Sequence, residues 1–201
     1  MYKKLAIFFA ILLGASCSNT ETVVFGALST FTESGVVQMV VEIPAGTNKK
    51  IEYDYKSNSF KNDQKNGKNR VIQFLPYLGN YGFIPSTNMD KSLGGDGDAL
   101  DVLVLASAQP TGTILRVIPI GLLKLSDNGE IDNKIIAIPA EAQDRIIDVI
   151  SFRVLRSMYP EVPNIIERWF LDYKGNYSME LVGWGDEGEA REEIQKWLIN
   201  Y

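Results

Sequence analysis

The chain contains no histidine, and that absence removes a large part of the enzyme repertoire. Without imidazole there is no Ser-His-Asp or Cys-His nucleophilic apparatus, no zinc site with His ligands and no His general base. Acid–base work therefore falls to carboxylates, Lys or Tyr. Cysteine occurs once, as Cys17, which excludes an intrachain disulfide. Basic charge is also short: 20 Lys and Arg against 25 Asp and Glu leave a net charge of −5. No cationic excess is available to neutralise a nucleic-acid backbone, so no nucleic-acid partner is expected. A phosphate substrate that arrives as a metal complex stays compatible with this balance. Long apolar runs are missing too, since Leu5 to Leu13 is too short for a transmembrane helix, which needs about 20 residues.

What is present is an ordinary globular composition, 45% hydrophobic and 22% charged over 201 residues, enough for one well-buried domain. Met1-Tyr2-Lys3-Lys4, the short apolar run and Gly14-Ala15-Ser16-Cys17 form a basic region, a hydrophobic region and small residues before a cysteine. The pattern is similar to a bacterial lipobox, departing from it at Gly14, where Leu is usual. The expected division is a signal segment over residues 1–17, a Ser/Thr/Gly-rich tether over 18–35 and a folded domain over 36–201. This predicts a cell-envelope protein, lipid-anchored through Cys17 or periplasmic.

Strands are expected at Val36–Ile43, Lys50–Tyr55, Arg70–Phe74, Asp101–Leu105, Thr113–Leu125 and Lys134–Ile138, each bounded by Gly, Pro, Asp or Asn. Residues 56–69, polar and rich in Asn and Lys, read as a loop or turn excursion. Helical spacing appears at Arg145–Met158, after Pro163 from Asn164 to Tyr173, and from Asp186 or Gly188 to the C-terminus. In the last of these Ala190, Ile194, Trp197 and Tyr201 share a face. Many short strands followed by helices predict a mainly β (α+β) fold, a small closed barrel with two or three flanking helices.

The chemistry concentrates in Asp96-Gly97-Asp98-Ala99-Leu100-Asp101, which runs into the apolar Val102-Leu103-Val104-Leu105. Side chains at i and i+2 of an extended segment point the same way, so Asp96 and Asp98 stand together while Gly97 lets the chain bend. Clustered carboxylates repel unless a cation sits among them, and oxygen-only ligands favour a hard ion such as Mg²⁺ or Mn²⁺. A second acidic segment, Asp127-Asn128-Gly129-Glu130-Ile131-Asp132, would read alone as a hairpin turn. Glu42 and Glu52 add acids on early strands, and Lys50, Arg70, Tyr77, Tyr81, Lys134, Tyr173 and Lys174 form a cationic and phenolic set.

The segments Val41-Glu42-Ile43-Pro44, Lys50-Ile51-Glu52, Asn80-Tyr81-Gly82-Phe83-Ile84-Pro85 and Asp96 to Val104 together resemble the soluble family I inorganic pyrophosphatases, in order and in spacing. The resemblance continues through Pro119 to Lys124, Asp127, Asp132, Lys134, Tyr173-Lys174 and Val182-Gly183-Trp184, and covers about residues 36 to 200. Two departures are Ala99, where many members carry Pro, and the long polar loop before Arg70. The resemblance implies an OB-like barrel and metal-dependent hydrolysis of pyrophosphate to two orthophosphates by in-line attack of an activated water. It assigns the metal ions, Mg²⁺ with Mn²⁺ as the alternative, to Asp96, Asp101, Asp127 and Asp132, and the general base to Asp98. Substrate binding falls to Lys50, Arg70, Tyr81, Lys134, Tyr173 and Lys174, with Glu42, Glu52 and Tyr77 supporting them. Typical members are cytoplasmic, which sets an alternative location against the targeting segment.

A calcium-binding, non-enzymatic envelope protein could use the same acids, but an EF-hand loop fails where Leu100 and Asp101 stand. A P-loop fails because Gly67-Lys68 is followed by Asn69. A barrel for single-stranded nucleic acid lacks the basic stripe with interleaved aromatics. Oligomeric state is left open, a homo-oligomer included.

Overall fold

The computed structural model describes residues 23–175 and 178–199. Cys17 and the rest of the signal-like segment lie outside the described residues, as does Tyr201. Among the described residues no helix is long and apolar enough to cross a membrane.

Strands β1 (Val37–Ile43), β2 (Ile51–Asp54), β3 (Ser59–Asn62), β4 (Gln64–Lys65), β5 (Lys68–Asn69), β6 (Asn80–Phe83), β7 (Asp101–Val104), β8 (Ile114–Asp127), β9 (Glu130–Ile131) and β10 (Lys134–Pro139) come first. Helices α1 (Phe152–Met158) and α2 (Glu161–Asp172), strand β11 (Met179–Gly185) and helix α3 (Glu187–Lys196) follow. The main sheet runs β1-β6-β7-β10-β8-β11, and an additional β1–β8 pairing turns its first five strands into a closed ring. Strand β8 makes this closure because it is long. Its first residues pair with β1, its middle with β10 and its end with β11. The fold is mainly β with three α-helices outside the ring, a ring of pairings rather than a strict barrel.

Period-two alternation sorts the ring's side chains into two cores. Leu103, Ile136 and Ile138 join Leu155, Ile166, Trp169 and Phe170 from α1 and α2. Val102, Val104, Ile135 and Ala137 join Ala190, Ile194 and Trp197 from α3. A capping box starts α3, with Asp186 accepting from Glu189 N and the Glu189 side chain returning to the Asp186 N–H.

Several sequence expectations change. Arg70–Phe74 is not a strand; Ile72 alone is buried there, and the stretch makes one isolated bridge, Val71 to Lys49. The polar excursion before it instead contains β3 and the β4–β5 hairpin. The helix expected from Arg145 begins at Phe152, where the Ser151 side chain caps Val154 N, because the β-branched Ile146, Ile147, Val149 and Ile150 resist an earlier start. Helix α2 begins before Pro163, which occupies its first turn, where an N–H would have no intrahelical partner. Strands β6 and β11 have no strand signature in the sequence, with Gly82 in the first and Gly183 and Gly185 in the second. Gly82 is required in β6, since a Cβ there would lie 1.9 Å from Val40 O. Within the segment read as a tether, Phe25 packs edge-on to Tyr53 and Phe60, and the buried Thr30 donates to Pro85 O.

Candidate active site

The parallel register of β7 and β10 pairs Asp101 with Lys134, at the first residue of each strand. Both continue the face that carries Leu103 and Ile136, so the site begins where the apolar core ends. Lys134 is 2% exposed, and its ammonium reaches Asp101 Oδ2 at 2.5 Å and also binds Asp132. Burial disfavours that charge, but Asp101 and Asp132 outweigh it and hold the ammonium well above the usual lysine range. On β8 the same face runs through Leu123 and Leu125 to Asp127, which pairs with Lys174. Burial raises the Asp127 carboxyl, yet the bonds from Lys174 and Ser178 prevail and hold it below the ordinary value.

The 96–101 segment turns into β7 through Gly97, whose φ of 90° is left-handed and where a Cβ would lie 2.5 Å from Lys91 Cε. Asp98 N donates to Asp96 Oδ1 at 2.9 Å, and Met89 N donates to Asp98 O at 2.7 Å, pinning the loop. Ile131 N donates to Gly94 O at 2.7 Å and so ties the two acidic segments to each other. Burial, opposed by the Asp98 N–H and reinforced by Asp101 and Asp98, pushes the Asp96 carboxyl up to about 6. Asp98 is raised as well, by burial first and then by Asp101 and Glu52.

On the other wall Lys50 N donates to Arg70 O at 3.1 Å, which brings two cations distant in sequence side by side. Lys50 pairs with Glu52 at 2.5 Å and Arg70 with Asp63 at 3.0 Å. Glu42 Oε1 accepts from Tyr53 N at 2.7 Å; burial, with Asp101 and Glu52, lifts its carboxyl to about 8 against that bond and Lys50. Helix α2 ends by delivering Tyr173 and Lys174, the Tyr173 ring stacked on Trp169 with centroids 4.8 Å apart. Burial keeps the Tyr81 and Tyr173 phenols well above their usual range, so both remain O–H donors.

These groups line one cavity of about 540 Å³. Asp96, Asp98, Asp101, Asp127, Asp132, Glu42, Glu52, Lys50, Arg70, Lys134, Lys174, Tyr81 and Tyr173 all reach its wall. Tyr77 stands behind it, packed between Tyr81 and Trp169 at 5.0 and 4.6 Å between centroids. Sequence reading did not single out Tyr53, Tyr55, Phe83, Asn128, Glu130 and Ser178, which also line the cavity. Glu130 could have been found from its place inside the second acidic segment; Tyr53 and Tyr55 looked like ordinary strand residues.

Among the described residues no three acids already form a cation cage. The donor set nevertheless suits hard divalent ions. Eight carboxyl groups share the cavity with four cations, so its wall offers a dense set of oxygen ligands.

Residues 39–201 match the family model described as inorganic pyrophosphatase. An inorganic pyrophosphatase from Neisseria meningitidis is 36% identical over 176 residues, covering 82% of this chain and 90% of the relative. One from Sulfolobus acidocaldarius is 36% identical over 165 residues, covering 80% and 88%. The crystal structure of the Thermus thermophilus inorganic pyrophosphatase superposes with a TM-score of 0.73 at 30% identity, over 88% of this chain and 97% of that one. The family-model match over residues 39–201 and the 36% identity to relatives over most of both chains place this chain in the inorganic pyrophosphatase family.

Proposed function

We propose that this protein hydrolyses inorganic pyrophosphate to two orthophosphates in the cavity, with divalent metal ions, Mg²⁺ or Mn²⁺, as cofactors. The observation that carries the reading is the cavity's charge: eight carboxyl groups against four cations leave it net negative even with Glu42 protonated, and it would repel free pyrophosphate. With cations accompanying the substrate, the same acids become its dock. Asp96, Asp101, Asp127 and Asp132 would hold the ions. When bound, such ions neutralise phosphate charge and make water nucleophilic near neutral pH.

Asp98 accepts the proton of the attacking water, a role suited to a carboxyl raised by burial toward the working pH. Lys50, Arg70, Lys134 and Lys174 face the non-bridging oxygens, where charge builds in the transition state of phosphoryl transfer. Tyr81 and Tyr173 donate phenolic hydrogen bonds to phosphate, while Glu42 and Glu52 orient the surrounding water, and Tyr77 braces Tyr81 from behind. Attack is direct and in line, since the chain has no histidine to activate a serine. The N-terminal segment supports a cell-envelope location with a lipid on Cys17, a cytoplasmic form being the alternative.

Phosphate release from pyrophosphate, compared with ATP and a phosphomonoester in the presence of Mg²⁺ or Mn²⁺, tests the reaction. Pyrophosphate should be the preferred substrate; calcium binding without phosphate release would favour the non-enzymatic reading instead. Incorporation of a fatty-acid analogue that is lost in Cys17→Ser would establish the anchor, and equal labelling of both forms would remove it.

A further inference from the structure

Tyr53, within β2, and Tyr55, just past its end, meet different surroundings. Tyr53 is 6% exposed, and its hydroxyl donates to Asn58 Oδ1 at 2.7 Å. Tyr55 is 57% exposed, lines the catalytic cavity, and its hydroxyl has no hydrogen-bond partner among the described residues. A free phenol on the rim of a phosphate site would ordinarily swing through several rotamers. This one is held on three sides. Tyr53 lies edge-on at 4.8 Å between centroids, Phe83 is tilted against it at 6.0 Å, and the backbone of Gly26 closes the back. A Cβ at position 26 would fall 2.5 Å from Tyr55 Cε1 and 2.6 Å from Cδ1.

Gly26 sits in the short 3₁₀ turn Phe25–Ala27, which precedes the residues matched by the family model. The turn is itself anchored. Phe25 packs against Tyr53 and Phe60 at 5.8 and 5.1 Å, Asn58 Nδ2 donates to Val23 O at 3.0 Å, and Ser86 Oγ donates to Leu28 O at 2.8 Å. Ala99, the neighbour of Asp98, packs on the same aromatic cluster. A phenol stays protonated near neutral pH, so Tyr55 offers a proton donor on a cavity wall that Glu42, Asp98 and Asp101 also line.

We propose that Tyr55 is an additional substrate-binding residue, donating its hydroxyl to a phosphate oxygen of pyrophosphate, and that Gly26 is the positioning residue that sets its ring. The assignment rests on the pyrophosphate reading of the cavity. A hydrogen bond to a charged oxygen predicts that Tyr55→Phe lowers kcat/KM for pyrophosphate by roughly ten-fold, with the thermal midpoint unchanged. Gly26 does not use a left-handed backbone, so Gly26→Ala meets chiefly the aromatic rings beside it. It should lower kcat/KM in the parent protein and add no further loss in the Tyr55→Phe background, although any shift in thermal midpoint persists in both.

An unchanged kcat/KM in Tyr55→Phe overturns the binding role. An equal loss from Gly26→Ala in both backgrounds, or none in the parent, overturns the positioning role. A parent protein that releases no phosphate from pyrophosphate overturns the reading of the cavity itself, and that failure shows before any variant is compared.

Discussion

The two acidic segments differ in how their charge is compensated. In the second, Asp127 pairs with Lys174 and Asp132 with the buried Lys134, so both aspartates are ion-paired. In the first, Asp101 shares Lys134, while Asp96 and Asp98 form no ion pair among the described residues. Their carboxyls respond in opposite directions, Asp127 lowered and Asp96 and Asp98 raised. One arm is a preorganised frame whose aspartates are already paired with lysines. The other is left short of positive charge, which suits a place where a cation and a proton arrive and leave.

Removing the compensation should break this contrast most strongly. Lys134→Met orphans Asp101 and Asp132; loss of one partner of a buried pair costs about 3–5 kcal/mol, and the lower end is expected because Asp101 opens onto the cavity. Urea unfolding of the metal-free protein measures it, and a stability within experimental error of the parent would show that the ammonium is not what holds the frame. Next comes the uncompensated arm. Asp98→Asn should reduce turnover by about 10²-fold or more, the usual scale for a general base, while the thermal midpoint holds or rises as a repulsive charge disappears. Near-parental turnover would take Asp98 out of the proton-accepting role.

A pH-dependent effect concerns Glu42. Its carboxyl is raised in the folded protein from an ordinary 4.5 to about 8, chiefly by burial. Between those values the folded protein retains a proton that the unfolded chain has released. The associated stability is complete below pH 4.5 and is lost as pH rises through 8. Glu42→Gln, which keeps an acceptor for Tyr53 N, should flatten the decline in unfolding free energy over that window; an unaltered slope would assign the pH dependence to other groups.

Much of this arrangement is legible in the sequence. Strands β1, β7, β8 and β10 announce themselves through β-branched runs with defined ends, and α3 through its acidic start and apolar stripe. The acids of 96–101 and 127–132 stand out because such density of like charge beside an apolar strand is costly without a cation. Less visible were β6 and β11, where glycine replaces the side chains that signal a strand, and the late start of α1, where β-branched residues shared helical spacing. The aromatic clamp of Phe25, Gly26, Tyr53 and Tyr55 left no local trace, because its members act only across the sheet and its flanking turn.

By itself the sequence determined the chemistry available: clustered carboxylates, lysines, arginines, phenols and no imidazole, a composition that admits metal-assisted phosphate hydrolysis and excludes histidine-based catalysis. Which carboxylate is paired and which is left bare was decided by the tertiary structure. The β7–β10 register puts Lys134 against Asp101, and the end of α2 carries Lys174 to Asp127. Such pairings depend on distances between residues tens of positions apart, and only the folded ring sets those distances.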